Sequence, residues 1–130
     1  MSSLQPPLFS NLPKDHFGIF GPQGVPDAKK IASLLDYKRP DVSAATKLPL
    51  ARVRLEPHRI PAELVERLTE WGTALNLVAG FFKDTDRTIL WFKTANPMLG
   101  NVSPRDMIRV GRFKKLLRFI QSALNENAPG

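Results

Sequence analysis

The chain has 130 residues, a formal net charge of +7 and no cysteine. Its length is enough for one compact domain, and the lack of cysteine excludes disulfides, thiolate zinc sites and cysteine nucleophiles. No apolar run approaches the roughly 20 residues of a membrane-spanning helix, and the first residues lack the basic start and apolar stretch of a secretory signal. We therefore expect a cytoplasmic protein without a membrane partner.

Positive charge is concentrated in two zones of the sequence. Residues 26–60 hold eight basic and four acidic residues, a net of +4, and residues 105–118 hold six basic residues and one acidic, a net of +5. Residues 61–90 hold three basic and five acidic residues, a net of −2. Basic zones of this kind suit phosphate backbones or an acidic partner, or they serve only solubility, and charge alone does not separate these alternatives.

The first segment, residues 1–25, contains four prolines and three glycines. Such spacing of proline and glycine prevents a lasting helix, and no strand alternation appears. Leu8, Phe9, Phe17 and Ile19 nevertheless make the segment too apolar for an inert linker. We expect an extended arm that packs on the body of the protein or on a second subunit, and a disordered tail is the alternative.

The second segment, residues 26–60, is predicted to form three short helices. The first opens at Asp27, the second at Pro40, and the third spans 50–55. Three short helices with tight connections are typical of a helix-turn-helix unit, whose last helix enters the major groove of DNA. A degenerate unit that serves only dimerisation or docking is the alternative. The predicted DNA contacts are Arg52 and Arg54 on the third helix, with Lys38, Arg39, Lys47 and Arg59 for phosphates.

A longer helix is predicted from about Pro61 to Phe82. Apolar residues recur there at three- or four-residue intervals, and proline suits the first turn of a helix. Gly72 and Gly80 would permit the close approach of another helix. An aspartate just beyond this helix is expected to cap a short apolar helix that follows.

A loop and two more helices complete the third segment, residues 61–130. Ser103 is a capping residue, Pro104 takes the first helical position, and Asp106 stands where a capping box has its acid. A final amphipathic helix begins near residue 113 and ends before a polar tail. The sequence therefore predicts an all-α protein of six or seven helices.

Few residues of the sequence suit catalysis. His16 and His58 lie in proline-rich surroundings, with no carboxylate or nucleophile at a recognisable spacing. No paired His, Asp or Glu spacing indicates a metal site, and no glycine-rich phosphate loop follows a strand. We therefore expect no enzymatic activity, no cofactor and no metal.

Residues 91–108 read Trp-Phe-Lys-Thr-Ala-Asn-Pro-Met-Leu-Gly-Asn-Val-Ser-Pro-Arg-Asp-Met-Ile. This stretch resembles the toxin-binding domain of Xre/MbcA/ParS-type antitoxins. The family pattern is a tryptophan, a polar-Asn-Pro turn, a Leu-Gly loop, a Ser/Thr-Pro, and an apolar dipeptide before a glycine. A second glycine often follows Leu-Gly in the family, and Asn101 stands there in this chain. Residues 27–55 resemble the family's helix-turn-helix unit more loosely. The motif positions are held by Trp91, Asn96, Pro97, Leu99, Gly100, Pro104 and Gly111.

The resemblance implies an antitoxin that pairs with a RES-domain toxin, which consumes NAD or transfers ADP-ribose from it. It also implies that the C-terminal helices and tail cover the NAD pocket of the toxin. The helix-turn-helix unit would repress the shared operon, usually as a dimer. The alternatives are a stand-alone DNA-binding regulator without a toxin and a pure protein-interaction adaptor whose helix-turn-helix unit does not touch DNA. Because arginine is favoured at interfaces, the predicted toxin contacts include Arg105, Arg109, Arg112, Lys115 and Arg118. Glu126 and the terminal carboxylate of Gly130 are predicted contacts as well, because they are the only ligand-like negative charges of the tail if it enters the toxin site.

Overall fold

The structure is a computed structural model that describes residues 13–126, and it contains six α-helices within that range. The residues from 13 to 126 form no strand, only two isolated bridges, so the all-α prediction is confirmed. Helices α1 to α6 are Ala28–Leu34, Arg39–Thr46, Ala62–Phe82, Thr85–Lys93, Pro104–Arg109 and Phe113–Glu126. Short 3-10 turns occur at Pro22–Gly24, Leu50–Arg52 and Pro97–Leu99. No helix in the described part of the chain is long and apolar enough to cross a membrane.

Helix α3 is the central element, and it packs against α1, α4 and α6. Its predicted bounds are confirmed to within one residue, because Pro61 precedes its first turn and Phe82 ends it. The predicted apolar stripe is buried along its length, from Leu64 to Val78. A single hydrophobic core surrounds this stripe and includes residues from the N-terminal arm as well as from α6.

The described part of the arm, residues 13–25, lies against α3. The Asn76 amide group fixes it: its oxygen accepts from the His16 N–H at 2.8 Å, and its nitrogen donates to Asp15 Oδ1 at 3.1 Å. The Asp15 carboxylate also accepts from the N–H groups of Ile19 and Phe20. Burial alone would raise the pKa of Asp15, but these hydrogen bonds together lower it. The rest of the predicted arm, residues 1–12, lies outside the described residues.

Gly72 on α3 permits the close approach of the arm. A Cβ atom at this position would lie 2.8 Å from Cζ of Phe20 and 3.2 Å from Cδ1 of Ile19. The expectation that another helix would approach here is therefore wrong. The arm, rather than a helix, lies against Gly72, and its Ile19 side chain is fully buried there.

The predicted third helix at 50–55 is also wrong. Only one 3-10 turn forms, and Val53 leaves helical geometry with φ −83° and ψ 87°. The reason is a tertiary contact, since the guanidinium of Arg39 donates to the carbonyl oxygens of Leu50 at 2.7 Å and Val53 at 2.9 Å. A recognition helix is therefore missing from this segment.

Candidate partner-binding surfaces

The loop between α4 and α5 is held by Asn96. Its side-chain oxygen accepts from the Met98 N–H at 2.9 Å, and its backbone N–H donates to the Val102 carbonyl at 3.2 Å. Gly100 and Asn101 have φ values of 77° and 64°, in the left-handed region. Asparagine tolerates that region better than most residues, so Asn101 suits a position that otherwise favours glycine.

The same loop motif fixes how α5 follows it and how α6 begins. Pro97 opens the 3-10 turn that Leu99 ends. Buried Pro104 is the first residue of α5, and the Ser103 hydroxyl accepts from the Asp106 N–H at 3.2 Å. Gly111 has a φ of 84° and lies two residues before α6. These local features therefore define the start of α5 and the turn that leads into α6.

An apolar groove lies between α3, α4 and α6, with a volume of about 220 Å³. Trp91 of α4 stacks on Phe119 of α6, with ring centroids 6.5 Å apart and planes inclined by 12°. Phe81 at the rim is 49% exposed. The lining residues are Val78, Phe81, Phe82, Trp91, Phe119, Ile120, Ala123 and Leu124.

Arg105, a predicted toxin contact, is held inside the chain. Its Nε donates to the Leu35 carbonyl at 2.7 Å and its Nη2 to the Asp36 carbonyl at 2.8 Å. The guanidinium carbon also lies 5.1 Å from the ring centroid of Tyr37, whose hydroxyl donates to the Arg105 carbonyl. The side chain is only 21% exposed. Arg105 therefore joins α5 to the carboxyl end of α1.

The other predicted toxin contacts are accessible to a partner. Arg109 is partly exposed and pairs with Asp106 at 3.3 Å. Three more cations of the α6 region, together with Glu126 at the end of α6, are exposed. The three cations, which form no ion pair with any residue from 13 to 126, are Arg112, Lys115 and Arg118. Gly130 lies outside the described residues.

The predicted DNA contacts are not gathered on one helix. Arg39 donates to two backbone carbonyls, as described above, and Arg52 pairs with Glu63 of α3 at 3.0 Å. Beside Arg52, the pKa of Glu63 is lowered, chiefly by a hydrogen bond from its own backbone and then by the arginine charge. The remaining four are exposed and lie in different parts of the segment: Lys38, Lys47, Arg54 and Arg59.

A second concavity, which we call the basic cleft, lies between α2, α3 and α6. It has a volume of about 660 Å³ and is lined by five cationic side chains and one acidic one, Glu70. It brings one predicted DNA contact, Lys47, beside two predicted toxin contacts, Arg112 and Lys115. Its other two cations, Arg67 and Lys114, were not among the predicted contacts, since only the tertiary fold brings Arg67 of α3 beside the start of α6.

Within the described residues no group of three or more His, Cys, Asp or Glu could hold a metal ion. The accessible features of the described residues include an apolar groove, the basic cleft and what we call the outer face of α6, namely Arg112, Lys115 and Arg118. Arg112 and Lys115 belong both to this face and to the lining of the basic cleft. Exposed apolar patches and clustered charges of this kind are common where proteins bind macromolecules.

Comparison with known proteins finds similarity in structure but not in sequence. No family model and no curated protein matches the sequence. Among solved structures, the fold is similar to that of a chain in the M. tuberculosis MbcT-MbcA toxin-antitoxin complex, with a TM-score of 0.50 and 17% sequence identity. The similarity covers 79% of this chain and 95% of that chain. At this identity the likeness shows a shared all-helical fold.

Proposed function

We propose that this chain is the antitoxin of a type II toxin-antitoxin pair and that it acts by binding its toxin, without catalysis. The observation that supports this most strongly is the fold shared with a chain of a toxin-antitoxin complex over 95% of that chain. The resemblance of residues 91–111 to an antitoxin motif is independent support. The Asn96-centred loop and the Gly111 turn give these motif residues well-defined geometry.

The toxin in this proposal is a RES-domain protein that consumes NAD or transfers ADP-ribose. The chain covers its active site with the outer face of α6 and the tail that follows. Arg112, Lys115 and Arg118 are exposed and unpaired among the described residues, so they can pair with acidic groups on the toxin without first breaking internal bonds. Arg105 is left out of this interface because its guanidinium is bonded to α1.

Operon autoregulation completes the proposal, with a cytoplasmic homodimer that binds operator DNA. The net charge of +7 supports an interaction with DNA. The same charge also favours a second candidate, a stand-alone DNA-binding regulator without a toxin. The neighbouring reading frame separates the two, because only the antitoxin needs a RES-like partner encoded beside it.

The test is co-expression with the product of the adjacent gene, affinity purification, and measurement of NAD loss. A stable complex with suppressed NAD loss is expected. A chain that ends at Ala123 should lose inhibition if the tail enters the toxin site, and a chain that ends at Glu126 isolates the last four residues. Full neutralisation by the chain that ends at Ala123 would show that the tail is not needed to block the toxin site.

The role of the α6 face is tested separately by a charge reversal. Arg118→Glu should weaken neutralisation, because it places a like charge against the acidic groups that the cation meets. Lys93→Glu on α4 makes the same change at an exposed position outside the proposed interface. Equal neutralisation by the two variants would remove Arg118 from the proposed interface.

A further inference from the structure

The basic cleft combines cations that are far apart in sequence. Lys47 directly follows α2 as its C-cap, in the left-handed conformation with a φ of 62°, and Arg67 comes from α3. Arg112, Lys114 and Lys115 come from the junction that begins α6. Cations from three elements therefore line one concavity. Lysines that served only solubility on one helix face would not produce this arrangement.

The acidic side chain in the cleft offsets little of this charge. Glu70 is partly buried and is bound to Arg67 at 2.9 Å. Burial raises the pKa of Glu70, and the charge of Arg67 opposes that rise. With five basic residues against one acidic, the lining has a formal charge of +4. Its four cations other than Arg67 form no ion pair within residues 13–126.

The site expected from the sequence cannot read DNA in the expected way. Residues 50–55 form no recognition helix, and Arg39 and Arg52 are engaged within the chain. The cleft presents no helix to a major groove either. Lysine and arginine side chains on a concave surface act as charges toward phosphate, and such contacts carry affinity without reading sequence.

We propose that the basic cleft binds the sugar-phosphate backbone of duplex DNA. This inference rests on the DNA-binding part of the proposed function and moves its main contact from residues 50–55 to the junction of α2, α3 and α6. Lys47, Lys114 and Lys115 each neutralise a phosphate. Binding through them depends strongly on salt, because each neutralised phosphate releases condensed counterions.

The experiment measures the affinity of the full chain for two duplexes over a range of salt concentrations. One duplex is the region upstream of the gene, and the other has a random sequence. The cleft variant carries Lys47→Gln, Lys114→Gln and Lys115→Gln. The control variant carries Lys14→Gln, Lys29→Gln and Lys93→Gln, which are exposed, lie outside the cleft and change the net charge equally.

We expect the cleft variant to bind both duplexes roughly tenfold more weakly or worse, with a salt slope smaller by about 3, or about 0.9 for each lost phosphate contact. The control variant should keep nearly the affinity of the wild type. Equal losses in the two variants would show a general effect of charge and overturn the cleft. Wild-type binding by the cleft variant would overturn it as well.

A third variant, Arg54→Gln with Arg59→Gln, tests two of the DNA contacts that were predicted from the sequence and lie outside the cleft. A loss of affinity in this variant alone would return the site to the segment that contains Arg54 and Arg59 and would refute the cleft. If the wild type binds neither duplex, the cleft and the DNA-binding part of the proposed function fail together. The toxin-neutralisation assay would still test the antitoxin role independently. Circular dichroism and thermal melting of each variant confirm that the exposed substitutions leave the fold intact.

Discussion

Replacing Arg105 distinguishes a structural role of its side chain from a role in binding the toxin. Replacing it with lysine keeps the positive charge but removes the fork that reaches the carbonyls of Leu35 and Asp36 at 2.7 and 2.8 Å. A hydrogen bond from a charged group contributes about 1.5–3 kcal/mol. Because lysine can still reach one carbonyl and the site is partly open to water, we expect a loss of about 1–2 kcal/mol in the free energy of unfolding.

Urea unfolding measures this loss as a lower midpoint with an unchanged m-value. Arg118→Lys is the matched control, because that side chain is exposed and makes no ion pair with the described residues; its midpoint should not change. Under conditions where the variant is folded, Arg105→Lys should neutralise the toxin as well as the wild type does. Unchanged stability together with lost neutralisation would refute the reasoning and make Arg105 a toxin contact.

Two further predictions concern the contact between the arm and α3. In thermal or urea unfolding, the free energy of unfolding of Gly72→Ala should be about 1–3 kcal/mol lower than that of Gly80→Ala. Both variants gain helix propensity. The new Cβ atom, however, would lie 2.8 Å from Phe20 at position 72, and its nearest neighbour at position 80 is His16 Nε2 at 3.4 Å. Equal stability would mean that the arm does not pack at Gly72. Asp15→Asn should lower stability at neutral pH by about 1 kcal/mol, because the amide has one accepting oxygen where the carboxylate has two. Since the folded pKa of Asp15 lies below 3.8, the carboxylate stabilises the fold above that pH, and the difference from the variant should vanish as the pH falls through the folded pKa. A difference that persists at lower pH would contradict this account.

The helices that could be predicted from the sequence are those whose signals are local. The bounds of α3 follow from the repeat of apolar residues and from Pro61. The start of α5 follows from Ser103 and Pro104, which act within one turn. Periodicity and capping involve neighbours three or four residues apart, so no tertiary information is needed.

The errors come from contacts between distant residues. Arg39 bonds to the carbonyls at Leu50 and Val53 and prevents a helix that the local pattern favoured. Arg105 binds carbonyls 69 and 70 residues away in sequence, which no local pattern indicates, and its contact with the toxin stays a prediction. The basic cleft could not be predicted for the same reason, since its cations come from three separate elements.

The antitoxin role is tested most directly by titrating the full chain into the product of the adjacent gene while NAD consumption is followed. We expect NAD loss to fall in proportion to the added chain and to stop at a fixed stoichiometry, with the two proteins co-eluting as a complex. A partner that consumes NAD at the same rate at every concentration of the chain would contradict the proposed antitoxin role.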